Sequence, residues 1–359
     1  MKIVLSGGGT LGSVAPLLAV AEAFKKKYPE TEFIWVGTKE GPEKDLLGKY
    51  DFSFFALQTA KWRRYFSFLN FTDFFNLTAA FLKSFLFLWQ EKPDLMISAG
   101  GFISVPLHWA GAVLGIPAWI HQQDLRPGLA NKLMSPFAKK ITVALEKSVL
   151  FFPKKKTEWI GNSVRELKVV SKTEARKRLE LPKDGKVIFA FGGGTGSESL
   201  NRIILESLPS WPRDWHIIHL LGKERPARLA EGAAKVFPNY HVYRFFTDEI
   251  IDAYSAADIV IARAGFSTIT ELAFLSKPAI LIPMVGTHQE DNVKFFAQNK
   301  AAAFLGEDTG NGLRLAMMVK YLMEFPEECE AMGERLHKIL PIAKEEKMIK
   351  IIEDLTKRV

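Results

Sequence analysis

Three stretches of the chain combine glycine, small hydroxyls and acids in patterns that suit a phosphate-bearing ligand. "SGGGTLGS" (6–13) and "FGGGTGS" (191–197) each close an apolar, strand-like run. Glycine at such a turn lets backbone come close to a ligand, and a helix opening behind it offers free N–H groups and partial positive charge. The third stretch, "ARAGFSTITEL" (262–272), sets Ser267 and Thr268 at a helix start, where they can hold a pyrophosphate. Glu271 follows one turn later and can accept hydrogen bonds from a ribose. The same residues also fit a helix cap with a capping box, and either glycine turn alone fits a tight connection without a ligand. "GTHQEDN" (286–292) adds Gln289, Glu290 and Asn292 in a polar loop after an apolar run.

Two other chemistries are disfavoured. Gly7, Gly9 and Gly12 satisfy G-x-G-x-x-G, but a dinucleotide site also wants an acid at the end of the second strand, and "EFIWVGT" ends at Gly37-Thr38 without one. No Asp-x-Asp pair occurs anywhere, and the seven histidines form no cluster. His216 and His219, three apart in a strand-like run, point to opposite faces. The expectation is a site with no metal and no cofactor.

The elements that must position these residues alternate between strand and helix. "KIVLS", "EFIWVGT", "DLMISAG", "PAWIHQ" and "KITVAL" read as buried strands, and the alternation restarts with "GKVIFAFGGG", "WHIIHLLG", "HVYRFF", "DIVIARAG" and "PAILIPM". Buried runs separated by helices predict α/β architecture with parallel sheets covered on both faces. The chain's 359 residues suit two such domains. The expected division is 1–160, 161–340 and a closing helix over 341–359, with two Rossmann-like halves facing across a cleft.

Bulk composition narrows the setting. A single cysteine, Cys329, suits a reducing compartment, and Met1-Lys2 runs into a strand without a secretory leader. The net charge of +8 fits a solvated basic surface, nucleic acid, anionic lipid or phosphate-bearing substrates. Eleven of the 28 phenylalanines lie between 52 and 87, and Lys61, Arg63 and Arg64 stand among them. Phe74, Phe81, Phe85 and Leu88 fall at helical spacing, with Asp73 as a cap. The apolar region 74–89 is interrupted by Asn76, Lys83 and Ser84, which argues against a membrane span. One face of this segment belongs to a core, and the remaining aromatic and basic surface suits an interfacial contact with an anionic membrane. Nucleic acid fits less well, because the basic residues form no groove-sized stripe.

Taken in order, these stretches resemble the MurG family of bacterial glycosyltransferases over roughly 1–310. The resemblance rests on "GGTLGSVAPLLAVAEAF", "SAGGFISVPLHWAGAVLGIPAWIHQQDLRPGLANKLMSPFAKKI", "GNSVREL", "GGGTGSESLN" and "ARAGFSTITELAFLSKPAILIPMVGTHQEDN". It implies a GT-B fold and inverting transfer of N-acetylglucosamine from UDP-N-acetylglucosamine. The acceptor would be a polyprenyl-diphosphate-linked muramyl-pentapeptide, converting lipid I to lipid II in peptidoglycan synthesis. The implied location is the cytoplasmic face of the plasma membrane, held peripherally.

By the same resemblance, Thr10, Leu11, Gly12 and Ser13 face the acceptor. Gly193, Gly194, Thr195, Ser267, Thr268, Glu271, Gln289 and Glu290 serve the donor, and Arg165 either pairs with the diphosphate or shapes the hinge. The family's first loop usually reads G-G-T-G-G-H, and here Leu11 and Ser13 replace the second glycine pair's first member and the histidine. The family's H-E-Q-N has become His121-Gln122-Gln123-Asp124, and Gly194 stands where serine is usual. Asp124, at a strand end, is the expected general base, with His121 the other ionisable candidate. Two further readings are a GT-B transferase with another lipid acceptor and a catalytically silent nucleotide-sugar-binding scaffold.

Overall fold

The computed structural model describes residues 1–8, 11–39, 41, 43–48, 50–58, 69–164, 167–308 and 310–356. The chain forms two compact units, Met1–Arg165 together with Ile342–Val359, and Glu166–Pro341.

The first unit is built on a seven-stranded sheet in the order β3-β2-β1-β4-β5-β6-β7. Its strands are β1 (Lys2–Ser6), β2 (Glu32–Gly37), β3 (Ser53–Ala56), β4 (Leu95–Ser98), β5 (Ala118–Gln122), β6 (Lys140–Val143) and β7 (Thr157–Trp159). Every pairing is parallel. Successive side chains of one strand feed opposite layers. Ile3 and Leu5 pack with the helix Ala15–Lys27 and the C-terminal helix Glu345–Thr356. Val4 packs instead with Phe87 and Leu88 of the helix Leu69–Glu91 and with Leu107 of the helix Ser104–Val113. The tail therefore completes the first unit, and Lys27 pairs with Glu353 at 2.8 Å.

The second unit carries a six-stranded parallel sheet in the order β10-β9-β8-β11-β12-β13. Its strands are β8 (Val187–Phe191), β9 (His216–Leu220), β10 (Tyr240–Tyr243), β11 (Ile259–Arg263), β12 (Ala279–Ile282) and β13 (Ala303–Phe304). In each sheet the strand order reverses beside the first strand, between β1 and β4 and between β8 and β11. Ligands of open α/β sheets bind beyond the strand ends at such a reversal. The two glycine turns leave β1 and β8 at those points, and the 264–268 segment leaves β11.

Ten of the thirteen strands correspond to apolar runs in the sequence. The other three, β3, β7 and β13, are edge strands of four, three and two residues with little or no fully buried surface, too short and too exposed to stand out as strands in the sequence. Asp73 does not cap the helix Leu69–Glu91, which already begins at Leu69.

The turn after β8 depends on backbone packing. Gly196 has φ +76°, and a Cβ there would lie 2.0 Å from the Leu221 carbonyl oxygen and 2.8 Å from Gly222 Cα. Gly193 also has positive φ, +87°, but open space around it. Gly193→Ala should therefore cost only conformational strain, about 1–2 kcal/mol. Gly196→Ala must also push two backbone segments apart, and should lower the thermal midpoint several degrees further. Equal losses in the two variants would show that the close approach is not limiting.

Candidate functional site

In the first unit, the end of β1 is packed too closely for side chains. A Cβ on Gly8 would lie 2.3 Å from Glu43 Oε1, and one on Gly7 would meet the Ser13 hydroxyl and carbonyl oxygens at 3.2 Å. Glu43 is fully buried and accepts from Thr38 N (2.7 Å) and Thr38 Oγ1 (2.5 Å). The Trp35 indole N–H donates to the Gly7 carbonyl (3.0 Å). Leu11–Ser13 form a short 3-10 turn leading into the helix Ala15–Lys27, with Ser13 buried. Thr10 and Arg165 lie outside the described residues.

A polar chain ties this turn to the core of the sheet. Trp119 Nε1 donates to Thr142 Oγ1 (2.8 Å), and both nitrogens of His121 are engaged, Nδ1 with Thr142 Oγ1 and Nε2 with Asn162 Oδ1, each at 2.8 Å. An amide oxygen only accepts, so His121 carries its proton on Nε2 and accepts the Thr142 hydroxyl proton at Nδ1. Asn162 Nδ2 then faces Gln123 Oε1 at a long 3.5 Å, and Gln123 Nε2 donates to the Gly12 carbonyl (2.8 Å). Burial pushes the His121 pKa down to about 4. His121 is therefore neutral, enclosed and bonded at both nitrogens, an environment that suits a structural role.

Gln122 explains a departure from the family pattern. Its amide donates to the carbonyls of Asp124 (2.7 Å) and Arg126 (3.2 Å), while its oxygen accepts from Asn131 Nδ2 (2.6 Å). A glutamate could not make the two donations. The amide thus shapes the bend that carries Asp124, which is half-buried beyond the end of β5.

In the second unit, Gly194 and Thr195 are exposed at the tip of the turn after β8. A Cβ on Gly194 would lie 3.8 Å from the Phe245 ring, and the Lys223 ammonium stands 4.5 Å from that ring's centroid. Ser197 caps the helix Glu198–Ser207 by accepting from Leu200 N (3.3 Å). The helix Phe266–Phe274 is different. Its N-cap is Gly265 with no side-chain cap, so Ser267, Thr268 and Glu271 form no capping box. The first intrahelical bond runs from Ile269 N to Gly265 O (3.0 Å), which leaves the N–H groups of 266–268 at the open helix start. Ser267 Oγ is shielded and has no partner in the structure. Glu271 Oε2 accepts from Tyr254 OH (3.0 Å), and Tyr254 meets Phe189 and Phe191 edge-on, which fixes the carboxylate one turn inside the helix.

Gln289 folds back on its own loop. Its Oε1 accepts from Met284 N (3.0 Å), and its N–H reaches the Thr287 cap (3.3 Å), leaving the amide nitrogen as the group able to donate to a ligand. Glu290 follows in the first turn of the helix His288–Gln298, half-buried. Two further residues here were not among those singled out from the sequence. Arg263, at the end of β11, bonds Ser197, Ser199 and Glu307 through its guanidinium. That ion pair holds the Glu307 carboxyl down at about 2. A charge closing the apolar run "DIVIAR" was the available signal for Arg263; Glu307, 44 residues on, had none.

Three buried imidazoles set the acid response. His108 and His121 are lowered to about 4 and His219 to about 3, all by burial. Their folded values lie below the ordinary 6.5, so the unfolded chain binds protons first as pH falls. Their contribution to stability should be full above pH 6.5 and decline from there toward pH 3, read by denaturant unfolding. Nitrogen-15 spectra at pH 5 should show His121 neutral and protonated on Nε2; an imidazolium there would remove the structural assignment.

Comparison with known proteins agrees with this architecture. Residues 3–143 match the glycosyltransferase family 28 N-terminal domain and residues 187–353 its C-terminal domain. The chain is 32% identical over 365 residues to a UDP-N-acetylglucosamine–N-acetylmuramyl-(pentapeptide) pyrophosphoryl-undecaprenol N-acetylglucosamine transferase of Staphylococcus carnosus, covering 99% of this chain and 98% of the relative. It is 29% identical to the Bacillus subtilis protein of the same name, over 99% of this chain and all of the other. Among solved structures, Acinetobacter baumannii MurG superposes with a TM-score of 0.80 at 24% identity, covering 98% of this chain and 99% of that one. With a family domain matched in each unit and a named relative matched end to end, the chain belongs to glycosyltransferase family 28, among the MurG proteins.

Proposed function

We propose that this protein transfers N-acetylglucosamine from UDP-N-acetylglucosamine to a lipid-linked muramyl-pentapeptide. The observation that carries the reading is the full-length 32% identity to a transferase of that name. The geometry of the second unit supports it. The open helix start at 266–268 and the turn at 193–196 offer backbone donors for a diphosphate, and such donors stabilise a departing UDP without a metal. Glu271 suits the ribose, and the free amide nitrogen of Gln289 suits a sugar hydroxyl. Glu290 belongs to the same loop. In the first unit, the turn at 7–13 is the place for the acceptor's own diphosphate.

In an inverting transfer, the acceptor hydroxyl attacks the anomeric carbon, its proton passes to a base, and UDP leaves with the bonding electron pair. Asp124 is the group we assign as base. Ser13, buried where the family has histidine, has no comparable basicity. A transfer assay with labelled UDP-N-acetylglucosamine and lipid-linked muramyl-pentapeptide tests the reading. Wild-type protein should form product, and Asp124→Asn should lose about 10²–10⁴-fold in kcat with donor affinity unchanged. Full turnover by the variant would remove Asp124 as base. Donor binding without transfer by wild type would favour a silent binder.

The acceptor's lipid chain requires contact with a bilayer, and the helix Leu69–Glu91 supplies a surface for it. Phe81, Phe85 and Leu88 pack toward the core, whereas Leu82, Leu86 and Trp89 are 56%, 56% and 59% exposed along the opposite face. Leu129, Leu133 and Phe137 are also exposed in the same unit, with Lys132 and Lys139 among them. Lys61, Arg63 and Arg64 lie outside the described residues. Among the described residues, no helix is long and apolar enough to cross a membrane. From the exposed apolar row and the nearby lysines we assign a peripheral contact, on the cytoplasmic face that the resemblance implies, where anionic lipid would meet these lysines. In flotation with anionic vesicles, Leu86→Glu with Trp89→Glu should weaken binding roughly tenfold to a hundredfold and leave UDP-N-acetylglucosamine affinity intact. Undiminished flotation would exclude this face.

A further inference from the structure

Arg263 is buried, and every nitrogen of its guanidinium is occupied by the protein. Nε donates to Ser197 Oγ (2.9 Å), and Nη1 donates to the carbonyls of Ile282 (3.3 Å) and Pro283 (3.0 Å). Nη2 reaches Ser197 Oγ (2.6 Å), Ser199 Oγ (2.7 Å) and Glu307 Oε1 (2.5 Å). This cation is therefore not free for a ligand's phosphates, although it stands at the end of the central strand β11.

Its partner Glu307 reaches further. Ser199 donates its hydroxyl to Glu307 Oε1, and Val285 N donates to Oε2 (3.4 Å). The ion pair thereby joins three segments that follow three different strands: 197–199 after β8, 282–285 after β12 and 307 after β13. Two of these segments carry the groups that the proposed function assigns to the donor. Ser197 closes the glycine turn and caps its helix. Met284, beside Val285, is the residue on which Gln289 folds back.

We propose that Glu307 is a positioning residue for the nucleotide-sugar donor. It neutralises Arg263 so that the guanidinium holds the diphosphate turn and the sugar loop in one fixed register. This rests on the donor reading above. Without the carboxylate, Arg263 would be a buried cation lacking its counter-charge. The two loops would then lose their common strut while the acceptor-side residues of the first unit stay as they are.

The test is calorimetric titration of the full-length protein with UDP-N-acetylglucosamine, alongside steady-state kinetics for donor and acceptor. Glu307→Ala should raise the donor Kd and KM at least tenfold and leave the acceptor KM within twofold. Glu307→Gln should lie between, since its oxygen still accepts from Arg263 while its amide opposes the Val285 N–H. Ser199→Ala, which leaves the ion pair intact, should raise the donor Kd only a few-fold and covers the case in which Glu307→Ala does not fold. Donor Kd within twofold of wild type in Glu307→Gln and Ser199→Ala would overturn the proposal. An equal rise in donor and acceptor KM would also overturn it, as the mark of a general structural role. Failure of wild-type protein to bind the donor at all would instead overturn the donor reading, and this assignment with it.

Discussion

The second unit is organised around a place where two pieces of backbone nearly touch. A Cβ on Gly222 would lie 2.3 Å from Gly196 Cα, and one on Gly196 would lie 2.0 Å from the Leu221 carbonyl oxygen. Both residues have positive φ, where a side chain is strained even with space around it. This contact presses the turn after β8 onto the end of β9. Ser197 follows directly as a helix cap, and the turn's exposed tip at Gly194 and Thr195 is left with open backbone. In the first unit, Gly7 and Gly8 solve a similar problem against Ser13 and Glu43. The demand for glycine comes from the packing under each turn, and the exposed backbone at the tip of the second turn follows from that packing.

The two units stabilise their turns by different electrostatic means. The first uses a neutral relay from Trp119 through Thr142, His121, Asn162 and Gln123 to Gly12, in which burial keeps the imidazole uncharged. The second uses an ion pair, with Arg263 and Glu307 both largely withdrawn from water. A neutral relay costs little to bury when each group is bonded, whereas a buried ion pair depends on keeping both partners. The difference predicts opposite tolerance. The relay can lose a link and retain neutral neighbours, while the ion pair leaves an uncompensated charge when either member is removed.

Most of the fold was legible because central parallel strands are buried on both faces and read as continuous apolar runs. The edge strands β3, β7 and β13 were not, since strands of two to four residues with little buried surface do not stand out from their surroundings. Glycine turns and the helix starting at Phe266 were also readable, because turn geometry and helix starts are encoded locally. What could not be read was pairing at a distance. His121 looked ionisable in sequence, and only Thr142 and Asn162, 21 and 41 residues away, show it to be a buried neutral strut. Glu307 had the appearance of a loop acid until β13 brought it to Arg263.

The departures from the family pattern become coherent when taken as pairs. Gly194 lacks a side chain where serine is usual, and the Phe245 ring, from the loop after β10, lies 3.8 Å from where its Cβ would be, with the Lys223 ammonium 4.5 Å from the ring's centroid. Gln122 and Asp124 form a second pair. The family has its acid at the first of these positions and an amide at the second, and this chain has the reverse. Gln122 is almost fully buried, where a carboxylate would need a counter-charge that its partners, two carbonyls and the Asn131 amide, do not provide. Moving the acid two residues along places it on the half-exposed bend that the Gln122 amide itself shapes. One acid is kept near the end of β5, and the buried position is given to a neutral group able to hold the bend. On the proposed assignment of Asp124 as base, the changed motif offers a site for proton transfer in the first unit, built from a different residue and supported by a hydrogen-bond pattern that the usual glutamate could not make.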